Sequence, residues 1–404
     1  MLSVVEAVDL VVGGFRPLSA ERVGLEGALG RVLADDVAAR LTQPPADVSA
    51  MDGYAVRAAD VETLPATLLR IGESAAGAGF AGNVGTGQTV RIFTGAPVPA
   101  GADTIVIQED TNADGDTVTM REAPPAGCWI RRAGLDFRAG DVLLHAGRRL
   151  TSRDVGLAAA MNVPWLKVRR RPRVAFVATG DEVVMPGEPV ADDQIISSNS
   201  LALAALITAI GGEPLDLGIA RDDAAALAST LAGARGADLL VTIGGASVGD
   251  HDLVRGVLGD AGFDLGFYRV AMRPGKPLIF GRLGDLPVLG LPGNPVSVGV
   301  TSLIFLKPAI EALLGLATAD RPPPTAALGR DLAANDQRQD YLRSELHRDS
   351  DGNLVATPFE TQDSSMLERF AAADCLVVRP PHAPAAHAGD RVPILPLGDG
   401  LLSI

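Results

Sequence analysis

ADLLVTIGGASVGDHD, residues 237–252, decides how the middle of the chain folds. Its first half is a short apolar run of the kind that fills a buried strand. The run ends in closely spaced glycines and a small hydroxyl residue. A strand ending that way offers backbone N–H groups to an anion, so Gly244, Gly245, Ser247 and Gly249 are a candidate cradle. Yet the stretch finishes with Asp250 and Asp252, and carboxylates repel phosphate. Taken alone, the glycines fit an ordinary strand-to-helix turn equally well, and capping the next helix is the more natural role for Asp250.

Outward from this stretch, strand-like runs alternate with helical patterns. VAFVA (174–178), PLDLGIA, FYRVAM, PLIFG and PVLGLPG read as strands; NSLALAALITAI (199–210) and DDAAALASTLAGA (222–234) read as helices. A long helix opens at Asn294-Pro295, an N-cap followed by proline at the first helical position. The alternation predicts a doubly wound, mostly parallel α/β domain over residues 171–318. Ligands of such sheets sit at the carboxyl ends of the strands. The segments found there are TGDE (179–182), RDD (221–223), GGASVGDHD, MRPGKP (272–277) and PGNP (292–295). Arg273 and Lys276 flank a stiff Pro274-Gly275 and suit an oxyanion or phosphate. Glu182, Asp222 and Asp252 cannot bind phosphate directly, but they can hold Mg²⁺, which bridges to it. Each segment has a plainer reading: TGDE as a capping turn, Arg221 and Asp223 as a solvated helix start, RRRPR (169–173) as a solvated boundary. Their convergence on one sheet edge favours a site for phosphoryl or nucleotidyl chemistry.

The remaining chain divides into three further parts. Residues 1–41 with 140–170 read as an elongated helical or linker domain. It has a helix at the start, a second short helix in LEGALGRVLADDV (25–37), and another in TSRDVGLAAAMN (151–162) capped by Thr151 or Ser152. Residues 42–139 read as a small β domain, its short apolar runs broken by Gly, Pro, Asn and Asp. There SAMDGYAV (49–56) fits a plain turn before a strand. TGAPVPAGADTIVIQED (94–110) is a long stiff loop of the kind that carries function, and IRRAGLDFRAGD (130–141) fits a solvated hairpin. After the RPPPT linker, residues 319–404 read as a C-terminal β-barrel-like domain.

The bulk numbers bound the function. With 404 residues, 47% hydrophobic but only 4% aromatic, the chain needs two to four domains with cores of small aliphatic residues. A net charge of −14 argues against nucleic acid as a partner. Two distant cysteines and five scattered histidines make neither a disulfide framework nor a zinc site, and point to a reducing, cytoplasmic setting. The start reads as an amphipathic helix instead of a signal peptide, and apolar windows such as 201–210 are too short to span a bilayer; no membrane association is expected.

SAMDGYAV, FTGAPVPAGADTIVIQED, IRRAGLDFRAGD, VATGDEVVMPGEP, GIARDD, GGASVGDHD, AMRPGKPLIFG and LPGNPVS occur in this order. Together they resemble the molybdopterin molybdenumtransferase family, to which the C-terminal part of gephyrin belongs. The resemblance runs over nearly the whole chain. Its α/β part alone is shared with molybdopterin adenylyltransferases and the competence-damage-inducible family. It implies an L-shaped homodimer of four-domain subunits that inserts molybdate into adenylylated molybdopterin, cleaving the pyrophosphate link and releasing AMP. It also implies Mg²⁺ on Glu182 and Asp252, and Asp52, Asp222, Arg273 and Lys276 as catalytic residues, the last two as a cationic pair for molybdate or the terminal phosphate. Gly244, Gly245, Ser247 and Gly249 become the nucleotide and pterin cradle, and Pro292 and Asn294 are further substrate-binding residues. Asp52, Thr94, Arg131 and Asp136 match positions of a β domain that faces the partner subunit's cleft. Arg343 of YLRSEL and the pair Ser364-Ser365 of TQDSSM resemble positions tied to molybdate. Implied partners are a second copy, molybdopterin adenylyltransferase and molybdoenzyme maturation proteins. Two departures stand out: Arg273 where lysine is frequent, and Leu135 where an acid is common. An adenylyltransferase or nucleotide pyrophosphatase on the same α/β module, and a non-catalytic pterin scaffold, are the alternatives.

Overall fold

The computed structural model describes residues 1–244, 256, 257, 259, 262–316 and 322–398. Alternation along its strands builds the central sheet. Val174 and Phe176 of strand Arg173–Thr179 enter one hydrophobic cluster, and Ala175 and Val177 enter another. Successive side chains of a strand point to opposite faces, so both faces are buried. Across the sheet the order is Glu213–Ala220, Arg173–Thr179, Leu239–Ile243, Leu286–Leu291, Ile279–Leu283, Phe263–Tyr268. The first four strands are parallel, and the last two each pair antiparallel with their neighbour. Two reversals restore direction, so Phe263–Tyr268 ends on the same edge as the four parallel strands.

Helix Ala224–Ala232 covers one face through Leu227 and Leu231. The other face carries helix Ser198–Ala209 and the run Pro295–Thr301, Ser302–Leu306 and Lys307–Leu313. Against this layer packs the N-terminal helix Val4–Gly13, with Val4, Ala7 and Val11 inward and a Ser3–Glu6 capping box. The middle segment of the long run, Ser302–Leu306, is π-helical. Pro308 follows it; a proline lacks the N–H that would close an α-turn there, which accounts for the wider one. Pro295–Leu313 is apolar and long enough to cross a membrane, yet most of it is buried against this sheet.

Two chain segments share a separate core: Ala28, Leu33, Val37 and Ala39 pack with Phe137, Leu144, Leu150, Met161, Leu166 and Val168. Thr151 caps helix Ser152–Ala160 in a reciprocal box with Asp154. The expected second helix in 25–37 is a single 3₁₀ turn, Leu25–Gly27. Gly30 takes φ +74°, which a helix does not tolerate, and Val32 and Leu33 instead bridge to Arg149 and Val168. Between these segments lies the small β domain. Its six-stranded sheet has the order Thr104–Ile107, Gly53–Val56, Gln88–Ile92, Ala66–Ser74, Thr117–Met120, Thr111–Asp114.

The C-terminal part is a closed five-stranded barrel: Gln339–Arg348, Leu354–Pro358, Thr325–Leu328, Arg391–Pro396 and Cys375–Arg379, which pairs back with the first. Closure removes the exposed strand edges that a short-stranded open sheet would leave. Met272–Arg273 adds alongside Gln339-Asp340 in parallel register, stitching the barrel to the α/β domain.

Candidate active site

At the carboxyl edge of the α/β sheet, where it meets the barrel, lies a cavity of about 650 Å³. Strand Leu239–Ile243 ends at its floor in Gly244, whose φ of +86° suits glycine; a Cβ there would lie 3.2 Å from Thr179. The turn after strand Arg173–Thr179 brings Glu182 to the wall. Gly180, at φ +135°, lets the Glu182 carboxylate fold back to where a Cβ would otherwise stand. Among the described residues that carboxylate has no hydrogen-bond or ion-pair partner. The same holds for the ammonium of Lys276, which lines the cavity on the Pro274-Gly275 turn. Gly275 has φ +102°, and a Cβ would lie 2.4 Å from Thr301 Cγ2. Gly275→Ala is therefore expected to destabilise the fold by about 1–3 kcal/mol, read as a lower midpoint in urea unfolding. An unchanged midpoint would show that the turn is not held this tightly.

The remaining predicted residues sort by position. Arg273, Pro292, Asn294 and Ser364 line the cavity with Glu182, Gly244 and Lys276. Asn294 sits at the N-cap without capping the helix by its side chain; its Nδ2 donates instead to Ser364 Oγ at 2.7 Å. Ser364 in turn accepts from Val296 N at 3.1 Å through its carbonyl. Ser365 turns away, its hydroxyl donating to Asp363 Oδ1 at 2.6 Å. Arg343 is 1% exposed and lies behind the wall, not in it. Its backbone N donates to Gln362 Oε1 at 2.9 Å, its Nη2 donates to the Asp363 carbonyl at 3.0 Å, and burial holds its pKa below the ordinary value. Asp222 is exposed and does not line the cavity; Asp223 beside it caps helix Ala224–Ala232. Gly245, Ser247, Gly249, Asp250 and Asp252 lie outside the described residues.

Sequence reading missed Asn199, Arg338, Gln362 and Asp363 as cavity residues. Asn199 Nδ2 donates to the Gly293 carbonyl at 2.7 Å, fixing the PGNP turn. The signal for Gln362 and Asp363 was present, since both precede the singled-out serines in TQDSSM. Arg338 binds Asp336, and this hydrogen bond is the chief reason the Asp336 carboxyl is pulled down to about 2. A depressed carboxyl stabilises above its ordinary value of 3.8 and loses that contribution as pH falls through about 2. A carbon-detected titration of Asp336 is expected to give a midpoint near 2; a midpoint near 3.8 would mean the pair does not hold.

Among the described residues there is no cluster of three metal-ligating side chains. Mg²⁺, however, is commonly held by one or two carboxylates plus substrate phosphates, and the unengaged Glu182 carboxylate fits that demand.

Three family descriptions match the chain in succession: the MoeA N-terminal region (domain I and II) over residues 2–162, the "Probable molybdopterin binding domain" over 175–312, and the MoeA C-terminal region (domain IV) over 325–397. The molybdopterin molybdenumtransferase of Haemophilus influenzae is 35% identical over 384 residues, covering 94% of each chain. That of Nostoc sp. is 40% identical over 336 residues, covering 81% of this chain and 77% of the other. The chain belongs to the molybdopterin molybdenumtransferase family. A crystal structure of the molybdopterin biosynthesis MoeA protein from Pyrococcus horikosii superposes with a TM-score of 0.84 at 30% identity, covering 98% of both chains.

The molybdenumtransferase motifs of the β domain form a second constellation. Asp52 Oδ1 accepts from both the backbone N and the hydroxyl of Thr94, each at 2.7 Å. The backbone bond is the main reason its carboxyl lies below the ordinary value. Arg91 stacks between Tyr54 and Phe93 next to it. Arg131 and Asp136 are exposed, and neither they nor Asp52 and Thr94 line the cavity.

Proposed function

We propose that this chain is a molybdopterin molybdenumtransferase that inserts molybdate into adenylylated molybdopterin, with cleavage of the pyrophosphate link and release of AMP. The observation that carries it is the cavity between α/β edge and barrel. It holds one unpaired cation, Lys276, and one unpaired carboxylate, Glu182, among the described residues, in a chain whose full-length relatives bear that name. Molybdate is a tetrahedral dianion and suits a site built for phosphate-like oxyanions. Lys276 supplies charge to it, and Ser364 and Gln362 line the same cavity. Glu182 and Asp252 would hold Mg²⁺, which when bound draws charge from the pyrophosphate oxygens. Pro292, Asn294 and Gly244, with Gly245, Ser247 and Gly249, cradle the nucleotide and pterin.

The Asp52–Thr94 pair, with Arg131 and Asp136, then serves the cavity of the partner subunit in a homodimer. Asp222, whose backbone N donates to Asp181 Oδ1 next to Glu182, would add negative charge beside the cavity without lining it, and Arg343 acts by holding Gln362 and Asp363 in place. A cytoplasmic setting, with molybdopterin adenylyltransferase upstream and molybdoenzyme maturation proteins downstream, fits this role. The discriminating experiment supplies ATP and unmodified molybdopterin: no adenylylated product is expected, and its accumulation would favour an adenylyltransferase instead.

A further inference from the structure

Arg273 stands in the cavity wall, yet its guanidinium is turned onto the barrel. Nε donates to Asp340 Oδ1 at 2.9 Å, and Nη2 pairs with Asp340 Oδ2. Nη2 also reaches Asn335 Oδ1 at 3.4 Å, and Nη1 lies 3.5 Å from Asp336. Asp340 is 5% exposed, so the carboxylate that receives this fork is withdrawn from solvent. The backbone sets the meeting: Arg273 and Asp340 are register partners, and Gln339 N donates to the Ala271 carbonyl at 2.9 Å. A planar guanidinium can make such a two-point contact, and an ammonium cannot. The strand that bears Asp340 also bears Arg343, which holds Gln362 and Asp363 at the cavity. The bond from Asn294 Nδ2 to Ser364 Oγ is a second tie between the α/β domain and the barrel part.

We infer that Asp340 is a positioning residue for the molybdate end of the cavity. It withdraws Arg273 from the anion-binding set and uses it to seat the barrel wall on the α/β domain, leaving Lys276 to meet the oxyanion. This rests on the proposed function. Molybdate binds the seated form, so a variant seated only a tenth of the time shows an apparent affinity about tenfold weaker. Saturating molybdate restores the seat, so KM for molybdate rises while kcat is kept. Arg273 and Asp340 act through one contact, so their effects do not add.

The test is a double-mutant cycle of Asp340→Ala and Arg273→Ala in the full-length protein, following AMP release from adenylylated molybdopterin against molybdate concentration. Each single variant is expected to raise KM for molybdate about tenfold with kcat within a factor of about two, and the double variant to match either single one. Asp340→Asn keeps the side-chain shape and one good acceptor, so it gives the same direction of change even where the alanine variant folds poorly. A further tenfold rise from Arg273→Ala in the Asp340→Ala background would show that Arg273 meets the anion itself and overturn the inference. So would a fall in kcat with KM unchanged. Amide exchange at Gln339 is read in parallel: faster exchange in Asp340→Ala is expected, and unchanged exchange would exclude the seating role. If the parent protein released no AMP at all, the proposed function would fail, while the exchange result would still decide the seat.

Discussion

Lys276→Ala is expected to lower molybdate-dependent AMP release by on the order of 10²–10³-fold, the usual cost of removing a charge aimed at developing or bound anionic oxygens. Arg273 and Arg338 also line the cavity, but Asp340 and Asp336 hold their guanidinium groups. Neither can replace Lys276 without breaking an ion pair. Lys276 is exposed on a turn where Pro274 fixes φ and Gly275 takes a positive φ, so its removal leaves the core untouched and the fold intact. Lys276→Arg keeps the charge and should recover part of the activity. Parent-level AMP release from Lys276→Ala, with molybdate limiting, would show that the anion is met elsewhere.

Glu182→Gln is expected to lose a comparable factor, on the order of 10²–10³-fold, because an amide is a poor ligand for a hard divalent cation. The side chain is exposed and makes no hydrogen bond or ion pair among the described residues, so thermal stability should be unaffected. Added Mg²⁺ should restore part of the rate in the variant by mass action, and a chelator should abolish the rate in the parent. Full activity of the parent in a chelator would remove the metal from the account. Asp252→Ala is expected to behave like Glu182→Gln.

The architecture of the site was legible where local chemistry decides it. The end of a buried strand in glycine, the prolines and glycines of MRPGKP and PGNP, and the carboxylate of TGDE all reach the cavity edge that a doubly wound sheet demands. What was not legible depends on contacts distant in sequence. Arg273 reads as a free cation at the cavity edge, and its pairing with Asp340 appears only when the barrel strand is brought alongside it. Arg343 reads as a cavity cation, but closure of the barrel buries it behind Gln362 and Asp363. Asn294 reads as a helix cap and does stand at the N-cap, but its side chain makes no capping bond; its Nδ2 donates across to Ser364 Oγ on the barrel side. The run 25–37 has helical composition, yet Gly30 and the pairing of Val32 and Leu33 with residues far along the chain draw it into extended form. Asp52 and Thr94 lie in different motifs, and their mutual hydrogen bonds appear only when strand Gly53–Val56 pairs with Gln88–Ile92.

The most direct measurement supplies the purified protein with adenylylated molybdopterin, Mg²⁺ and molybdate, and follows AMP and protein-associated molybdenum together. The account predicts AMP release that depends on molybdate, with about one molybdenum gained in the pterin product for each AMP released. AMP release at the same rate without molybdate, or molybdenum uptake without AMP, would contradict it.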